Sequence, residues 1–394
     1  MTTVTSHAAA KPSKPASGGG ERVFNFSAGP GTLPEEVLRQ VQQDVWNIGG
    51  SGIGILEHSH RGKVVDKVFA ECEADLRSLA NIPANYKVLF LTGGASGQNH
   101  MIPMNFMGPG KTGDYLITGY WAQKTAEQAK KFSGKPGFGT AHIAHDTKDK
   151  NHTYIPADAE IRYSEKPAFI HYCSNNTLEG TEWFRIPAPP PALAGVPLIC
   201  DTSSHMYSRP LDISKYAMVY AGAQKNLGPA GVTLCIIRDD LIDAGSKEIG
   251  DLLQYRTFVP ELSRPNTPPV FAVYVMGLIA RWIKASGGLA AMQKHNEAKA
   301  KLIYDVLDST KFYQPHARPD ARSLMNITFR LPSSPGGGDE LTDKFVKEAQ
   351  AQGLDGLKGH RNVGGIRAST YNAMPRAGCE ALAQFMREFE RKNG

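Results

Sequence analysis

The chain has 394 residues, a formal net charge of +6 and 41% hydrophobic residues. That length fits about two domains with a sizeable core. The basic residues are spread rather than gathered in a stripe, which excludes a nucleic-acid footprint and suits small anionic ligands.

In chain order, the first stretch, MTTVTSHAAAKPSKPASGGG, is low-complexity Ala, Ser, Thr, Lys, Pro and Gly. It has too little apolar surface to pack, so residues 1–21 are expected to form a disordered arm. It lacks the apolar segment of a secretory signal, and with no arginine before Arg22 and several prolines it does not read as a transit peptide. The expectation is a floppy arm on a cytoplasmic protein. PEEVLRQVQQDVWNI opens with Pro34 and two acids, as helices do. DKVFAECEADLRSLANI carries apolar residues at helical spacing, and YKVLFLT reads as a buried strand. The runs DYLITG, AFIHYC, VPLICD, YAMVYAG and GVTLCIIR are further short apolar strands. Strands apolar throughout, separated by helical stretches, predict an α/β fold with a mostly parallel sheet covered on both faces. PAPPPALAGVP is a loop. Beyond about Asn266 come long helical segments such as VFAVYVMGLIARWIKASGG, then the strands MNITFRL and GGIRAST, with SSPGGGDE as a loop between elements. This predicts a large domain over 35–285 and a smaller α+β domain made of 22–34 and 286–394. No run reaches the ~20 apolar residues of a membrane span. The five cysteines (Cys72, Cys173, Cys200, Cys235, Cys379) are odd in number, form no CxxC and read as reduced core thiols.

Three strings carry chemistry. TGGASGQ follows a strand and precedes a helical run, a junction whose backbone N–H groups suit a phosphate. Gly-rich junctions of this kind are common, so the string alone is weak. GPGKTGDY ends like a nucleotide-binding P-loop, but the leading glycine is replaced by Asn105 and a strand follows, so the motif fails. The strongest pairing is VPLICD, ending in Asp201, with AGAQKNLG, which holds Lys225 after a buried strand. A desolvated lysine has a lowered pKa and attacks carbonyls. An aspartate at a neighbouring strand end suits the ring nitrogen of pyridoxal phosphate (PLP). Taken singly, Asp201 reads as a helix N-cap and Lys225 as a turn lysine. His58 and His60 have no carboxylate or cysteine spaced to complete a metal site.

The strings FNFSAGPGTLPEEVL, SHRGK, GYWA, AGAQKNLGPAG, RPNTPP and GHRNVGGIRASTYNAMP together resemble the phosphoserine aminotransferases, in the class V branch of PLP aminotransferases. The resemblance runs in order from about Val23 to the C-terminus. It implies fold type I, with a large PLP-binding domain and a smaller C-terminal one. It implies transfer of an amino group from L-glutamate to 3-phosphohydroxypyruvate by a ping-pong mechanism, in serine biosynthesis, with a vitamin B6 precursor acid as an open second substrate. It also implies a homodimer with shared active sites. By resemblance, Lys225 bonds the cofactor aldehyde and Asp201 faces the ring nitrogen. Trp121 stacks on the ring, Thr177 bonds near the ring hydroxyl, and Gln224 reaches the phosphate. Ala95 and Ser96 supply backbone contacts to that phosphate. Several relatives carry Gly and then Arg, Cys or Thr at these two positions, so a side-chain role for Ser96 does not carry over. Asn266 and Thr267 would reach the phosphate of a neighbouring subunit. On the substrate side, Arg367 would clamp the carboxylate. His60, Arg61, His360 and Arg361 would bind the substrate phosphate, and Ser27 would touch substrate through its backbone. The competing reading is another class V enzyme, a serine/alanine–glyoxylate aminotransferase or a cysteine desulfurase. The desulfurase lacks its mobile loop cysteine, since Cys379 falls in a helical stretch. A phosphate-binding protein without catalysis would account for TGGASGQ but not for Asp201 with Lys225.

Overall fold

A computed structural model describes residues 22–332 and 339–394. The expected arm at 1–21, and most of the SSPGGGDE loop, lie outside the described residues. The centre of the molecule is a seven-stranded sheet. Its strands are β1 (Tyr86–Leu91), β2 (Thr112–Ile117), β3 (Thr140–Asp146), β4 (Pro167–Cys173), β5 (Leu198–Asp201), β6 (Met218–Gly222) and β7 (Thr233–Arg238). They lie in the order β1-β7-β6-β5-β4-β2-β3. All neighbours pair in parallel except β7, which runs antiparallel to both β1 and β6.

The apolar runs are continuous because both faces are buried. Val88, Phe90, Tyr172, Cys200, Val219 and Leu234 point to one core, packed by helices α1 (Glu35–Asn47) and α2 (Lys63–Ala80). Their neighbours in sequence, Leu89, Leu91, Ile199, Met218, Tyr220 and Cys235, point to a second core on the other face. There they meet α3 (Gly94–Phe106) and α4 (Tyr120–Phe132). A period of two with apolar residues on both sides gives the unbroken runs seen in the sequence. The strand β3, reading TAHIAHD, is not among the strands that the sequence pattern predicts. It is the edge of the sheet, only one of its residues is buried, and its two histidines break the apolar signal.

Helix α5 (Val270–Ala285) is buried along most of its length against α2. Helix α6 (Gly288–Asp308) places Leu289 and Met292 in the first core and Ile303, Val306 and Leu307 in a third. The third core holds Phe26 from near the start of the described chain. It is completed by strands β8 (Asn326–Arg330) and β9 (Ile366–Ser369) and helices α7 (Glu340–Ala351) and α8 (Arg376–Asn393). Phe24–Asn25 reaches it by pairing in parallel with Leu354–Asp355. Among the described residues, no single helix is long and apolar enough to cross a membrane.

One buried amine ties these parts together. Lys299, on α6, has no solvent exposure. Its Nζ lies within hydrogen-bond reach of the carbonyls of Thr370 (3.1 Å), Tyr371 (2.7 Å), Asn372 (3.4 Å) and Met374 (3.1 Å). The segment it gathers follows β9. Lys299→Met keeps the side-chain length but removes the donor that these carbonyls share. It is expected to destabilise the fold by about 2–4 kcal/mol, since buried acceptors are left unpaired. Urea unfolding measures this, and a loss below about 0.5 kcal/mol, the range of neutral surface changes, would contradict the cage.

Candidate functional site

The parallel strands β4, β5 and β6 end at one edge, in register, with Cys173 beside Asp201 and Asp201 beside Tyr220. In open α/β sheets, ligands bind beyond this carboxyl edge. Asp201 is the last residue of β5 and is buried. Its Oδ1 accepts from the N–H (2.8 Å) and hydroxyl (2.6 Å) of Ser203, whose Oγ in turn accepts from the Gly222 N–H at 3.0 Å. The carboxylate of β5 is thereby fixed against the end of β6. Three residues beyond that end stands Lys225. Its Nζ donates to Thr177 Oγ1 at 2.7 Å and lies 5.9 Å from the centre of the Trp121 ring. The residue keeps partial solvent contact. Dense protein surroundings still dominate its amine. Desolvation pulls the pKa below the usual lysine range and Arg367 adds to this, while Asp201 and Cys173 oppose it. The chain comes close over this lysine. The Gly31 N–H donates to Gln224 O at 2.8 Å. A Cβ on Gly31 would lie 2.6 Å from the Tyr371 ring, so no side chain fits there.

Thr177 belongs to a tight turn between Asn175–Asn176 and Thr181–Glu182, which pair with each other. All of 173–183 is buried, and its two asparagine Nδ2 groups are bonded within the protein. Asn175 Nδ2 donates to Ser204 Oγ (2.6 Å) and Asn326 Oδ1 (2.9 Å). Asn176 Nδ2 donates to Thr118 Oγ1 (3.0 Å) and Thr181 Oγ1 (2.9 Å). The same turn carries Glu179, whose Oε1 accepts the Tyr120 N–H at 2.8 Å, at the start of α4. Trp121 is the next residue of that helix, and its Nε1 is buried with no protein partner.

The expected phosphate junction is the start of α3. Gly93 and Gly94 have φ of 89° and 64°, the left-handed region that glycine tolerates. The first bond inside the helix runs from the Gly97 N–H to Gly93 O at 3.0 Å. The N–H groups of Ala95 and Ser96 precede it and have no place in the helical ladder. No side chain caps this end.

Arg367 projects from β9, directly opposite Thr328 of β8. It is mostly buried, burial lowers its pKa, and its Nε has no protein partner. Tyr371 and Glu179 act on it in the opposite direction. His360 lies with its ring 5.5 Å from that of Tyr120. Its pKa is lowered by burial first and then by Arg367 and Arg361. Arg361 itself is exposed. The other His–Arg pair sits elsewhere. His60 lines a groove of about 410 Å³ together with Leu56, Thr267 and Phe271. Its carbonyl accepts from Arg264 at 3.0 Å. Arg61, Asn266 and Thr267 are exposed. Within one chain the structure thus gathers Asp201, Lys225, Thr177, Trp121, Gln224, His360 and Arg367, while His60 and Thr267 line a separate groove and Arg61 and Asn266 are exposed. Ser27 uses its N–H on Asn25 Oδ1 at 2.9 Å.

The sequence reading passed over Ser203, Tyr371 and Glu179. Ser203 was legible as the second residue after a strand-end aspartate, a standard turn position. Glu179 was not, because an acid in a turn ordinarily faces water.

The family model for aminotransferase class-V matches residues 23–382. The chain belongs to that family. Curated relatives include a phosphoserine aminotransferase from Herpetosiphon aurantiacus, 47% identical over 94% of this chain and 99% of the relative. Among solved structures, phosphoserine aminotransferase from Bacillus circulans subsp. alkalophilus superposes with a TM-score of 0.89 at 45% identity, covering 95% of this chain and 99% of that one. The PLP-bound phosphoserine aminotransferase from Trichomonas vaginalis gives 0.87 at 38% identity, covering 93% of this chain and all of that one.

Proposed function

We propose that this chain is a PLP-dependent phosphoserine aminotransferase, moving the amino group of L-glutamate to 3-phosphohydroxypyruvate to give O-phospho-L-serine and 2-oxoglutarate. The observation that carries the reading is the desolvated amine of Lys225 in the field of Asp201, in a chain that matches phosphoserine aminotransferases over nearly their whole length. The residues fit PLP. A buried tryptophan N–H without a partner, helix-start N–H groups without a side-chain cap, and an amine held on Thr177 all face one edge of the sheet. Bound there, PLP supplies an electron-poor ring that takes up the electron pair released at a substrate α-carbon.

The chain supplies the rest. Ala95 and Ser96 offer backbone N–H groups to the cofactor phosphate, with Gln224 beside them. Asp201, fixed by Ser203, faces the ring nitrogen with a negative charge. Trp121 gives an aromatic face. Lys225, whose desolvation favours the neutral amine, holds the cofactor and then moves a proton on and off the substrate carbon as general base and acid. Arg367 clamps the α-carboxylate. His360 and Arg361, with His60 and Arg61, take the substrate phosphate. The five cysteines are unpaired and buried, which supports a reducing, cytoplasmic setting.

We further propose a homodimer with shared sites. Val45, Trp46, Ile53 and Leu56 are all exposed, and backbone bonds between 44–48 and 53–55 bring their stretches together as the kind of apolar patch that marks an interface. His60 and Thr267 share a groove that Leu56 lines, so a second copy covering it would add them to a site.

Reduction of the PLP-loaded protein with borohydride, followed by peptide mapping, is expected to place the label on Lys225. Label on another lysine would refute the assignment. For the substrate, kcat/KM with glutamate as donor is expected to favour 3-phosphohydroxypyruvate over pyruvate or glyoxylate by about 10²-fold or more, because cations aimed at a phosphate are left unpaired without it. Arg361→Ala should erode that preference, while Arg367→Ala should impair all substrates. Comparable values for glyoxylate and the phosphorylated acid would favour a glyoxylate aminotransferase. For the assembly, light scattering should give the mass of a dimer, and a fully active monomer would refute shared sites.

A further inference from the structure

The turn that presents Thr177 to Lys225 also buries a second acid, Glu179, which the reaction as described above does not use. Only 3% of Glu179 is exposed. Oε1 accepts the Tyr120 N–H at 2.8 Å, and Oε2 is buried without a partner. The approach to α4 is as close as atoms allow. A Cβ on Gly119 would stand 2.7 Å from Glu179 Oε2 and 2.5 Å from Asn176 Oδ1. On its other side the turn rests on β8, where Thr328 Oγ1 donates to Leu178 O at 3.1 Å. Thr328 is the residue directly across from Arg367, and cross-strand partners project to the same face. Glu179 therefore lies between the start of the helix that carries Trp121 and the guanidinium of Arg367.

We propose that Glu179 is a positioning residue with two separable tasks: its Oε1 anchors the first turn of α4 and so sets Trp121, and its charge orients Arg367 before a substrate carboxylate arrives. This rests on the reading of Arg367 as the carboxylate clamp. Among the described residues, Glu179 is the carboxylate that acts on Arg367, whose Nε has no protein partner. Arg367 acts back on the glutamate. Burial pushes the Glu179 carboxyl up to about 7, while the Tyr120 N–H and Arg367 pull it down. No hydrogen bond or ion pair joins the two side chains among the described residues, so Glu179 acts on Arg367 through its field.

Two substitutions separate the tasks. Glu179→Gln keeps an oxygen for the Tyr120 N–H and removes the charge. Glu179→Ala removes both. PLP affinity, read by quenching of tryptophan fluorescence, should stay within about threefold of wild type in Glu179→Gln and weaken about tenfold in Glu179→Ala, a factor typical of one lost hydrogen bond. In both variants KM for glutamate and for the phosphorylated keto acid should rise about tenfold, with kcat changing less. In an Arg367→Ala background, Glu179→Gln should add no further rise in KM, because the charge acts through that arginine. An unchanged KM in Glu179→Gln, or the same factor persisting without Arg367, would overturn the orienting task. Wild-type PLP affinity in Glu179→Ala would overturn the anchoring task. If Arg367→Ala alone leaves KM unchanged, the clamp reading itself falls, and that result is separate from either outcome at Glu179.

Discussion

The rest of the site follows from the need to hold an amine in a place that disfavours its charged form. Desolvation is the largest influence on Lys225, and a buried amine with no partner is costly. The interior answers with one hydroxyl, Thr177 Oγ1 at 2.7 Å, and one remote negative charge, Asp201. A hydroxyl accepts from either protonation state of the amine, so it locates Lys225 without fixing its charge. A carboxylate at the same distance would have locked the amine in its charged form. The distance between Asp201 and Lys225 therefore matters as much as their presence. The register of β5 and β6 sets it, because Asp201 pairs with Tyr220 and Lys225 follows five residues on.

Locating an amine through one hydroxyl demands that the hydroxyl itself be rigid. Thr177 stands in a turn whose side chains bond to four other parts of the chain: Thr118 after β2, Ser204 after β5, Asn326 on β8 and Tyr120 on α4. Such networks specify one arrangement when every member is satisfied. Here the amide donors of Asn175 and Asn176 are satisfied. Three acceptors of the turn, Asn175 Oδ1, Asn176 Oδ1 and Glu179 Oε2, have no protein partner, and neither do Trp121 Nε1 and Arg367 Nε nearby. The last two stand where a cofactor ring and a substrate carboxylate are proposed to lie. Buried polar atoms without partners are rare in folded proteins, so each of these offers a bond that a ligand would complete.

This explains what the sequence could and could not convey. Sheet strands were legible because burial on both faces leaves an unbroken apolar run, as in MVYAG. The edge strand TAHIAHD was not, because one polar face and two histidines erase both the run and the alternation. Lys225 and Asp201 were legible as a pair, because each alone reads as a turn lysine or a helix N-cap and only the two strand ends together carry the chemistry. The helix start at Gly94 was legible from its glycines. Glu179 gave no such signal. NNTLEG has the composition of a solvated turn, and only the closure of that turn over α4 and β8 buries it. The two His–Arg pairs look equivalent in sequence, each beside glycine, yet one faces Tyr120 and the other faces Thr267. Sequence similarity of motifs carries no information on which face of the subunit each occupies.

Two buried acids, Asp201 and Glu179, also show how environment divides labour between like groups. Asp201 receives two hydrogen bonds from Ser203 on a single oxygen and sits where a ring nitrogen is proposed to come. Glu179 receives one backbone bond, leaves an oxygen without a partner and is pushed up to about 7 by burial. The same side-chain chemistry is thus held by two donors on the cofactor side, and is left with one unpartnered oxygen and a raised pKa on the substrate side. Arg367 connects the two, since it lowers the pKa of both Lys225 and Glu179. A carboxylate arriving at Arg367 would offset that positive charge and so raise the proton affinity of both groups together. Binding at the clamp would in this way be felt at the amine that moves the proton, through the field of one guanidinium and without any movement of the backbone.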